Sequence, residues 1–292
     1  MTGIRRVGVL GAGLMGSGIA QVAASCGYDT VIRDVNDGAL SRGRNAVEKS
    51  LARFVEKGQL DAVSRDAALR RMTWTTDLGA IATTDIVIEA VTEDLALKTS
   101  LYRELHPRMA AEVLFASNTS SLSIATLAAA SGRPDRFVGL HFFNPVPLMP
   151  LVEVVRSVTT TESAFARALT FARSLGKDAV AARDGSGFIV NRLLVPYLLD
   201  AVRALESGVS TVADIDKAMM LGCGHPMGPF TLLDFVGLDT TVKIGEIMFD
   251  EYREPRFAPP ALLRRMVSAG WLGRKSGRGF YDYSVSPPVV AL

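Results

Sequence analysis

A histidine and a glutamate interrupt one otherwise apolar stretch of the chain, VGLHFFNPVPLMPLVEVV, at residues 138–155. Burying such groups without partners costs roughly 2–7 kcal/mol, so their presence needs a reason. If the NPVPLMP loop turns the chain back, the flanking strands lie side by side and His141 can face Glu153. A carboxylate bonded to one imidazole nitrogen fixes the tautomer and stabilises the cation, which leaves the other nitrogen to act as a general base. The alternative is a core histidine bonded to a backbone carbonyl and an exposed strand glutamate.

A second segment suited to chemistry is VGVLGAGLMGSG, whose glycines form a GxGxxG pattern between a predicted strand and a predicted helix. Glycines in this pattern allow a tight turn, close approach of a pyrophosphate to the backbone and close helix packing. The free N–H groups at the helix N-terminus then bind the phosphates. We therefore predict a dinucleotide-binding turn formed by Gly11, Ala12, Gly13, Leu14, Met15 and Gly16.

The type of dinucleotide is indicated by Asp34, which ends the second predicted strand 18 residues after Gly16. A carboxylate at this place binds the ribose hydroxyls of NAD and repels the additional phosphate of NADP. NAD is therefore the predicted cofactor, while Arg33 beside the aspartate leaves use of NADP open. The alternative is a glycine-rich turn in some other α/β protein, which the strand, helix and acid together disfavour.

These groups need a scaffold that brings strand ends together, and the first half of the chain alternates β-branched runs with helical patterns. The strand-like runs are RRVGVL, DTVIRD, TDIVIEAV, EVLFAS, RFVGLHFF and LVEVVR. This alternation predicts βαβ units and a mostly parallel sheet, in which ligands bind beyond the carboxyl ends of the strands. Near residue 185 the apolar spacing becomes helical. We predict an α/β fold with a Rossmann-type dinucleotide-binding domain, 1–185, followed by a smaller all-helical domain, 186–292.

Composition restricts the class of partner. Lys and Arg number 32 and Asp and Glu number 30, so the net charge of +2 gives no reason to expect a nucleic-acid or membrane partner. Cys26 and Cys223 have no paired spacing, which predicts neither a disulfide framework nor a metal site. No uncharged apolar stretch is long enough to span a bilayer, and the N-terminus lacks a signal-peptide pattern. A reduced, cytoplasmic setting is the expectation.

The motifs together resemble those of the L-3-hydroxyacyl-CoA dehydrogenase family, especially its short-chain, stand-alone members. The matching segments stand in family order across residues 7–283: GAGLMGSGIAQVAA, IEAVTEDLALK, FASNTSSLSI, GLHFFNPVPLMPLVEVV, GFIVNRLLVPYL, GHPMGPFTLLDFVGLD and GRKSGRGFYDY. The resemblance implies NAD-dependent interconversion of an (S)-3-hydroxyacyl-CoA, such as 3-hydroxybutyryl-CoA, and the 3-oxoacyl-CoA. It also implies a homodimer formed through the C-terminal domain.

The resemblance implies roles residue by residue. His141 corresponds to the catalytic base and Glu153 to its partner, while Ser120 and Asn191 correspond to polar groups that bind the substrate. NAD contacts are implied for Asp34, Glu93, Lys98, Ser120, Asn144 and Lys275, and coenzyme A contacts for Ser50 and Lys57. Each polar residue also has a purely structural interpretation: Ser120 could make only turn hydrogen bonds, Lys57 could be a solvated charge, and Lys98 could be a charge on a helix surface.

One position departs from the family pattern, because Ser186 stands where proline is usual. The departure puts the geometry of the turn between the domains in question more than the catalysis. Two other functions stay open. A dehydrogenase of a free hydroxy acid or sugar acid could share the fold, although the lysine of the 6-phosphogluconate-like group is absent, since Gly187 stands four residues before Asn191. A crystallin-like protein could bind the nucleotide without consuming it.

Overall fold

The computed structural model describes residues 3–292, which divide into two compact units, one ending at Phe188 and the other comprising Ile189–Leu292. The strands of the first unit are β1 (Arg6–Leu10), β2 (Asp29–Arg33), β3 (Met72–Thr75), β4 (Ile86–Glu89), β5 (Leu114–Ser117), β6 (Phe137–Phe142), β7 (Leu151–Arg156) and β8 (Asp178–Arg183). Its helices are α1 (Leu14–Ser25), α2 (Asp37–Glu56), α3 (Ala62–Arg70), α4 (Leu95–Leu105), α5 (Ile124–Ala130) and α6 (Glu162–Ser174).

All eight strands belong to one sheet, in the order β3-β2-β1-β4-β5-β6-β7-β8. Strands β1 to β6 are parallel, β7 is antiparallel to β6, and β8 is parallel to β7. The winding of the sheet reverses between β1 and β4, and open α/β sheets bind ligands beyond the strand ends at such a point. The predicted Rossmann-type fold is therefore confirmed. The sequence patterns missed β3 and β8 because both are edge strands, whose partly exposed side chains weaken the apolar signal.

Helix α1 packs against the sheet with nine of its twelve residues buried, most of which are small or apolar in its sequence LMGSGIAQVAAS. Gly13 is its N-cap and no side chain caps the helix. The N–H groups of the first turn are therefore the donors that a helix N-terminus can offer to an anion. The chain leaves the helix at Gly27, which has a φ of 94° and thus the left-handed conformation that glycine tolerates best.

Loop 144–150, between β6 and β7, is fixed on two sides. Lys177 donates from Nζ to the carbonyl oxygens of Val146 and Met149 at 2.7 and 2.8 Å. On its other side, Val146 packs against Gly18 of α1, where an added Cβ would lie 3.0 Å from the valine Cβ. The loop that joins the two strands is therefore held against the helix that follows the glycine-rich turn.

The second unit is built from the helices α7 (Val190–Glu206), α8 (Val212–Cys223), α9 (Pro229–Val236), α10 (Leu238–Tyr252) and α11 (Ala261–Ser268). Two short strands, β9 (Tyr281–Asp282) and β10 (Val289–Val290), pair antiparallel near its end. The helices enclose a core of their own, in which Leu199, Phe230 and Phe257 are fully buried. The unit is helical as predicted, with this strand pair in addition. Within residues 3–292, no helix is both long enough and apolar enough to cross a membrane.

Candidate active site

His141 and Glu153 face each other across the β6–β7 pair, as the proline-rich loop predicts. They are directly opposite in the register, and Nδ1 of the imidazole lies 2.6 Å from Oε2 of the carboxylate. Their side chains are only 8% and 1% exposed. The rings of Phe143 and Phe188 flank the imidazole at centroid distances of 4.5 and 5.5 Å. Because the acid engages Nδ1 and the phenyl rings restrict the ring plane, Nε2 is the nitrogen that can exchange a proton with a ligand.

The turn that follows β5 adjoins the end of β6, where His141 lies. Oδ1 of Asn118 accepts a hydrogen bond from the N–H of Phe142 at 2.9 Å, which ties the turn to the strand. Ser120 follows in the same turn, partly exposed, and its N–H donates to Oε1 of Glu93 at 3.0 Å. A predicted substrate-binding serine and a predicted NAD-binding glutamate therefore belong to one hydrogen-bonded structure.

Glu93 is held as an acceptor on both of its oxygens. Oε1 also receives the hydroxyl of Thr119 at 2.5 Å and the N–H of Ser121 at 3.3 Å, and Oε2 lies 3.2 Å from Nζ of Lys98. Burial opposes ionisation, but the charge of Lys98 and the hydrogen bonds from Thr119 and Ser120 outweigh it. The pKa of the Glu93 carboxyl is therefore lowered from its ordinary value.

Lys98 is not the charge on a helix surface that one interpretation of the sequence allowed, because its side chain is 1% exposed. Its Nζ lies 2.6 Å from Oε1 of Glu89 and 3.3 Å from the carbonyl oxygen of Val91. Glu89, at the end of β4, is fully buried and also accepts from the Ser117 hydroxyl at 2.7 Å. Sequence reasoning missed Glu89, although an acid within the apolar run TDIVIEAV is the same kind of signal as His141 in its own strand.

The three glycines of the loop are required for different reasons. Gly11 has a φ of 99°, and an added Cβ would lie 2.7 Å from the carbonyl oxygen of Ala90. A Cβ on Gly16 would lie 1.9 Å from the carbonyl oxygen of Gly11. The fold itself therefore excludes side chains at these two positions. At Gly13, by contrast, nothing lies within 4 Å of the Cβ position. An open space over the backbone fits a site where a pyrophosphate approaches the chain closely.

A cavity of about 380 Å³ lies beyond the carboxyl ends of β1, β2 and β4, at the reversal of the sheet. Gly11, Gly13, Asp34 and Val91 are among its lining residues. Oδ2 of Asp34 accepts the N–H of Ala12 at 2.8 Å, so the carboxylate is fixed beside the glycine loop. The uncapped helix, the open space over Gly13 and the fixed carboxylate suit the phosphates and a ribose of NAD.

Of the remaining predicted residues in the first unit, Asn144 is exposed in the loop after β6. Ser50 and Lys57 lie on α2 and at its C-cap, respectively, where Ser50 is partly buried and Lys57 is exposed. Seven residues are about two helical turns, so these two share one side of the helix. Leu14, in the glycine loop, is 70% exposed.

Two predicted residues belong to the second unit. Asn191 lies in the first turn of α7. Lys275 lies in the short 3-10 turn Arg274–Ser276, and its Nζ is 2.5 Å from Oδ1 of Asp239.

The segment with Ser186 in place of the usual proline is tied into the first unit. Its hydroxyl is buried and donates to the carbonyl oxygen of Ser121 at 3.3 Å. Two residues earlier, Asp184 accepts the N–H groups of Ile124 and Ala125 at 2.9 and 2.7 Å, at the start of α5. The serine therefore supplies a hydrogen bond that proline could not, and it bonds to the turn that contains Ser120.

Comparisons with known proteins cover nearly the whole chain. The model for the NAD binding domain of 3-hydroxyacyl-CoA dehydrogenase matches residues 6–185, and the model for the C-terminal domain of the same enzymes matches residues 187–283. The chain belongs to the 3-hydroxyacyl-CoA dehydrogenase family. Within this family it is 51% identical over 282 residues to the 3-hydroxybutyryl-CoA dehydrogenase of Mycobacterium tuberculosis, which covers 96% of this chain and 99% of that protein.

Other members of the 3-hydroxyacyl-CoA dehydrogenase family are similar along most or all of their length. The mitochondrial hydroxyacyl-coenzyme A dehydrogenase of Mus musculus is 45% identical, over 96% of this chain and 91% of that protein. The crystal structure of (S)-3-hydroxybutyryl-CoA dehydrogenase PaaH1 from Ralstonia eutropha has a TM-score of 0.94 at 43% identity and covers 97% of this chain and 100% of that one. The resemblance inferred from the motifs is confirmed, and the NAD-binding domain contains the glycine loop, Asp34, His141 and Glu153.

Proposed function

We propose that the protein catalyses the reversible, NAD-dependent oxidation of an (S)-3-hydroxyacyl-CoA to the 3-oxoacyl-CoA and acts on short acyl chains. The observation that carries the proposal is the buried bond between His141 and Glu153, in the same unit as the glycine loop. Two relatives that match over their full length are named for 3-hydroxybutyryl-CoA, which supports a short-chain substrate.

His141 is the catalytic base of this proposal. Its Nε2 takes the proton of the substrate's 3-hydroxyl group during oxidation and returns a proton during reduction. Glu153, 2.6 Å from Nδ1, keeps that nitrogen protonated and offsets the charge that the ring gains. A positioned general base contributes about 10²–10⁴-fold to the rate. Ser120 and Asn191 bind the substrate's polar groups, as the family resemblance implies.

NAD, when bound, supplies the acceptor for the hydride that leaves C3 of the substrate. The N–H groups at the start of α1 and the backbone at Gly13 bind its phosphates, and the Asp34 carboxylate binds the adenosine ribose hydroxyls. Glu93, Asn144 and Lys275 are further cofactor contacts proposed from the resemblance. The position of Asp34 favours NAD over NADP, because its charge repels a phosphate on the same ribose.

We assign the coenzyme A moiety to the side of α2 that carries Ser50 and Lys57. An exposed lysine suits a phosphate group, and the hydroxyl two turns away offers a second polar contact. Dimerisation through the second unit stays a prediction of the resemblance, which the mass of the protein in solution tests.

The proposal is tested with acetoacetyl-CoA and NADH in a spectrophotometric assay of the purified protein. We expect steady NADH consumption by the wild-type protein, a large loss of turnover in His141→Ala, and NADH binding that persists in this variant. Unchanged turnover in His141→Ala would remove the histidine from the mechanism. Binding of NADH without consumption by the wild type would support a crystallin-like protein, and turnover of free 3-oxo acids in preference to acetoacetyl-CoA would support a free-acid dehydrogenase.

A further inference from the structure

A buried triad of ions lies beside the turn that carries Ser120. Nζ of Lys98 lies 2.6 Å from Oε1 of Glu89 and 3.2 Å from Oε2 of Glu93, so one ammonium group pairs with two carboxylates. Lys98 and Glu89 are 1% and 0% exposed, and Glu93 is 26% exposed. Two carboxylates that share one cation carry a net negative charge, and a buried charge of this kind persists only where hydrogen-bond donors compensate it.

The turn supplies those donors to a single oxygen. Oε1 of Glu93 accepts from the hydroxyl of Thr119 at 2.5 Å, from the N–H and hydroxyl of Ser120 at 3.0 and 3.4 Å, and from the N–H and hydroxyl of Ser121 at 3.3 and 3.1 Å. A neutral carboxyl would fit this arrangement poorly, because its O–H needs an acceptor, whereas donors surround Oε1 and Oε2 faces the Lys98 ammonium. The conformation of the turn therefore depends on an ionised Glu93.

Glu89 reaches the same turn by two routes. Its Oε1 bonds Lys98, which bonds Glu93. Its Oε2 accepts from the hydroxyl of Ser117, and that hydroxyl oxygen accepts the N–H of Thr119 at 3.2 Å. Burial raises the pKa of Glu89 from its ordinary value even though the neighbouring lysine opposes the rise. Glu89 is therefore the member of the triad that depends most on the lysine for its charge.

We propose that Lys98 is a positioning residue that keeps Glu93 ionised and thereby holds Ser120 in its place in the active site, and that Glu89 holds the Lys98 ammonium where it can do so. This inference rests on the proposed function, in which Ser120 binds the substrate. Lys98 then affects the cofactor site through Glu93 rather than as a direct NAD ligand, since its Nζ already faces three protein oxygens. A further titratable neighbour, Tyr102 on α4, donates to a backbone carbonyl, and burial holds its pKa well above the ordinary value, so it stays neutral.

The test compares Lys98→Met and the double variant Glu89→Gln/Lys98→Met with the wild-type protein. Removing the lysine leaves two buried carboxylates, which raises the pKa of Glu93, so the turn loosens as the pH falls. A displacement of about 1 Å in an active site can cost on the order of 100-fold in rate. We expect kcat of Lys98→Met to be reduced most at low pH and to recover as the pH rises. The kcat of the double variant at low pH should lie between those of the wild type and Lys98→Met, because the double variant lacks the second buried carboxylate.

Thermal unfolding of the ligand-free proteins gives a second measurement that should follow the opposite trend. In the wild type the pKa of Glu93 is lowered on folding, so its contribution to stability is present above its unfolded-state pKa and is lost as the pH falls through the folded-state pKa. In Lys98→Met the carboxyls become easier to protonate, so the Tm difference from wild type should narrow on acidification while the kcat difference widens. The Tm measurement does not depend on which substrate the protein uses.

Asp216→Asn serves as the control, because Asp216 is a carboxylate that is 4% exposed and accepts backbone N–H groups at the start of α9 in the other unit. We expect a lower Tm in this variant with an unchanged pH dependence of kcat. If Lys98→Met does not fold, the pH dependence of kcat and Tm of the double variant alone tests the inference. A loss of kcat and of NADH affinity that is the same at every pH would overturn the inference and assign Lys98 to direct cofactor binding. A wild-type protein without turnover would refute the proposed function but leave the unfolding measurement valid.

Discussion

Replacement of Glu153 by glutamine isolates the electrostatic part of the His–Glu pair. The two side chains are nearly the same size, so the packing of a fully buried position is kept while one negative charge is removed. The carbonyl oxygen of glutamine can still accept a hydrogen bond from Nδ1–H of His141. The perturbation therefore changes the stabilisation of an imidazolium and leaves that of a neutral imidazole nearly intact.

The size of the lost stabilisation follows from the distance of 2.6 Å between His141 Nδ1 and Glu153 Oε2. At this separation two unit charges attract each other by about 6 kcal/mol at an effective dielectric constant of about 20. The neutral hydrogen bond that glutamine retains offsets about 1 kcal/mol of the loss, and incomplete proton transfer in the transition state reduces it further. We expect a net loss of about 3–5 kcal/mol, which corresponds to roughly 10²- to 10⁴-fold in kcat.

The assay is the pH dependence of kcat for oxidation of (S)-3-hydroxybutyryl-CoA with NAD, the direction in which the imidazole gains its charge, accompanied by a fluorescence titration with NADH. Affinity for NADH should change little, because the substituted group acts on the proton and not on the cofactor. Glu162→Gln is the matched control, since Glu162 is an exposed acid paired with Arg156 on the surface of the same unit. A kcat of Glu153→Gln close to that of this control, with an unaltered pH profile, would refute the electrostatic role of the pair.

The glycine loop and the cofactor preference yield two further predictions. Gly16→Ala should lower both Tm and NADH affinity, because the new Cβ would lie 1.9 Å from the carbonyl oxygen of Gly11. Gly13→Ala should lower NADH affinity alone, because no protein atom lies within 4 Å of its Cβ position. Equal losses of Tm in the two variants would contradict the explanation that Gly13 is kept free for the ligand. Asp34→Asn should reduce the ratio of NADPH to NADH dissociation constants, because the repulsion of the ribose phosphate is lost while Arg33 remains; a ratio equal to wild type would show that Asp34 does not select the cofactor.

Local sequence patterns were sufficient to predict the features that depend on residues close together in the sequence. The GxGxxG turn, the strand that ends just before Asp34 and the hairpin that opposes His141 and Glu153 could all be predicted, because backbone sterics and the two-residue period of a strand decide them within short segments. The edge strands β3 and β8 could not, since their exposed faces carry little apolar signal.

The sequence by itself therefore determined the fold class, the nucleotide-binding turn and the pair of residues proposed for proton transfer. Only the tertiary structure decided that Lys98 is buried between Glu89 and Glu93, that Lys177 holds the loop beside His141, and that Gly13 is open to a ligand while Gly16 is closed by the protein. These are contacts between segments distant along the chain or between layers of the fold. Whether a charge is solvated or compensated depends on which atoms surround it, and the spacing of residues in a sequence does not specify those atoms.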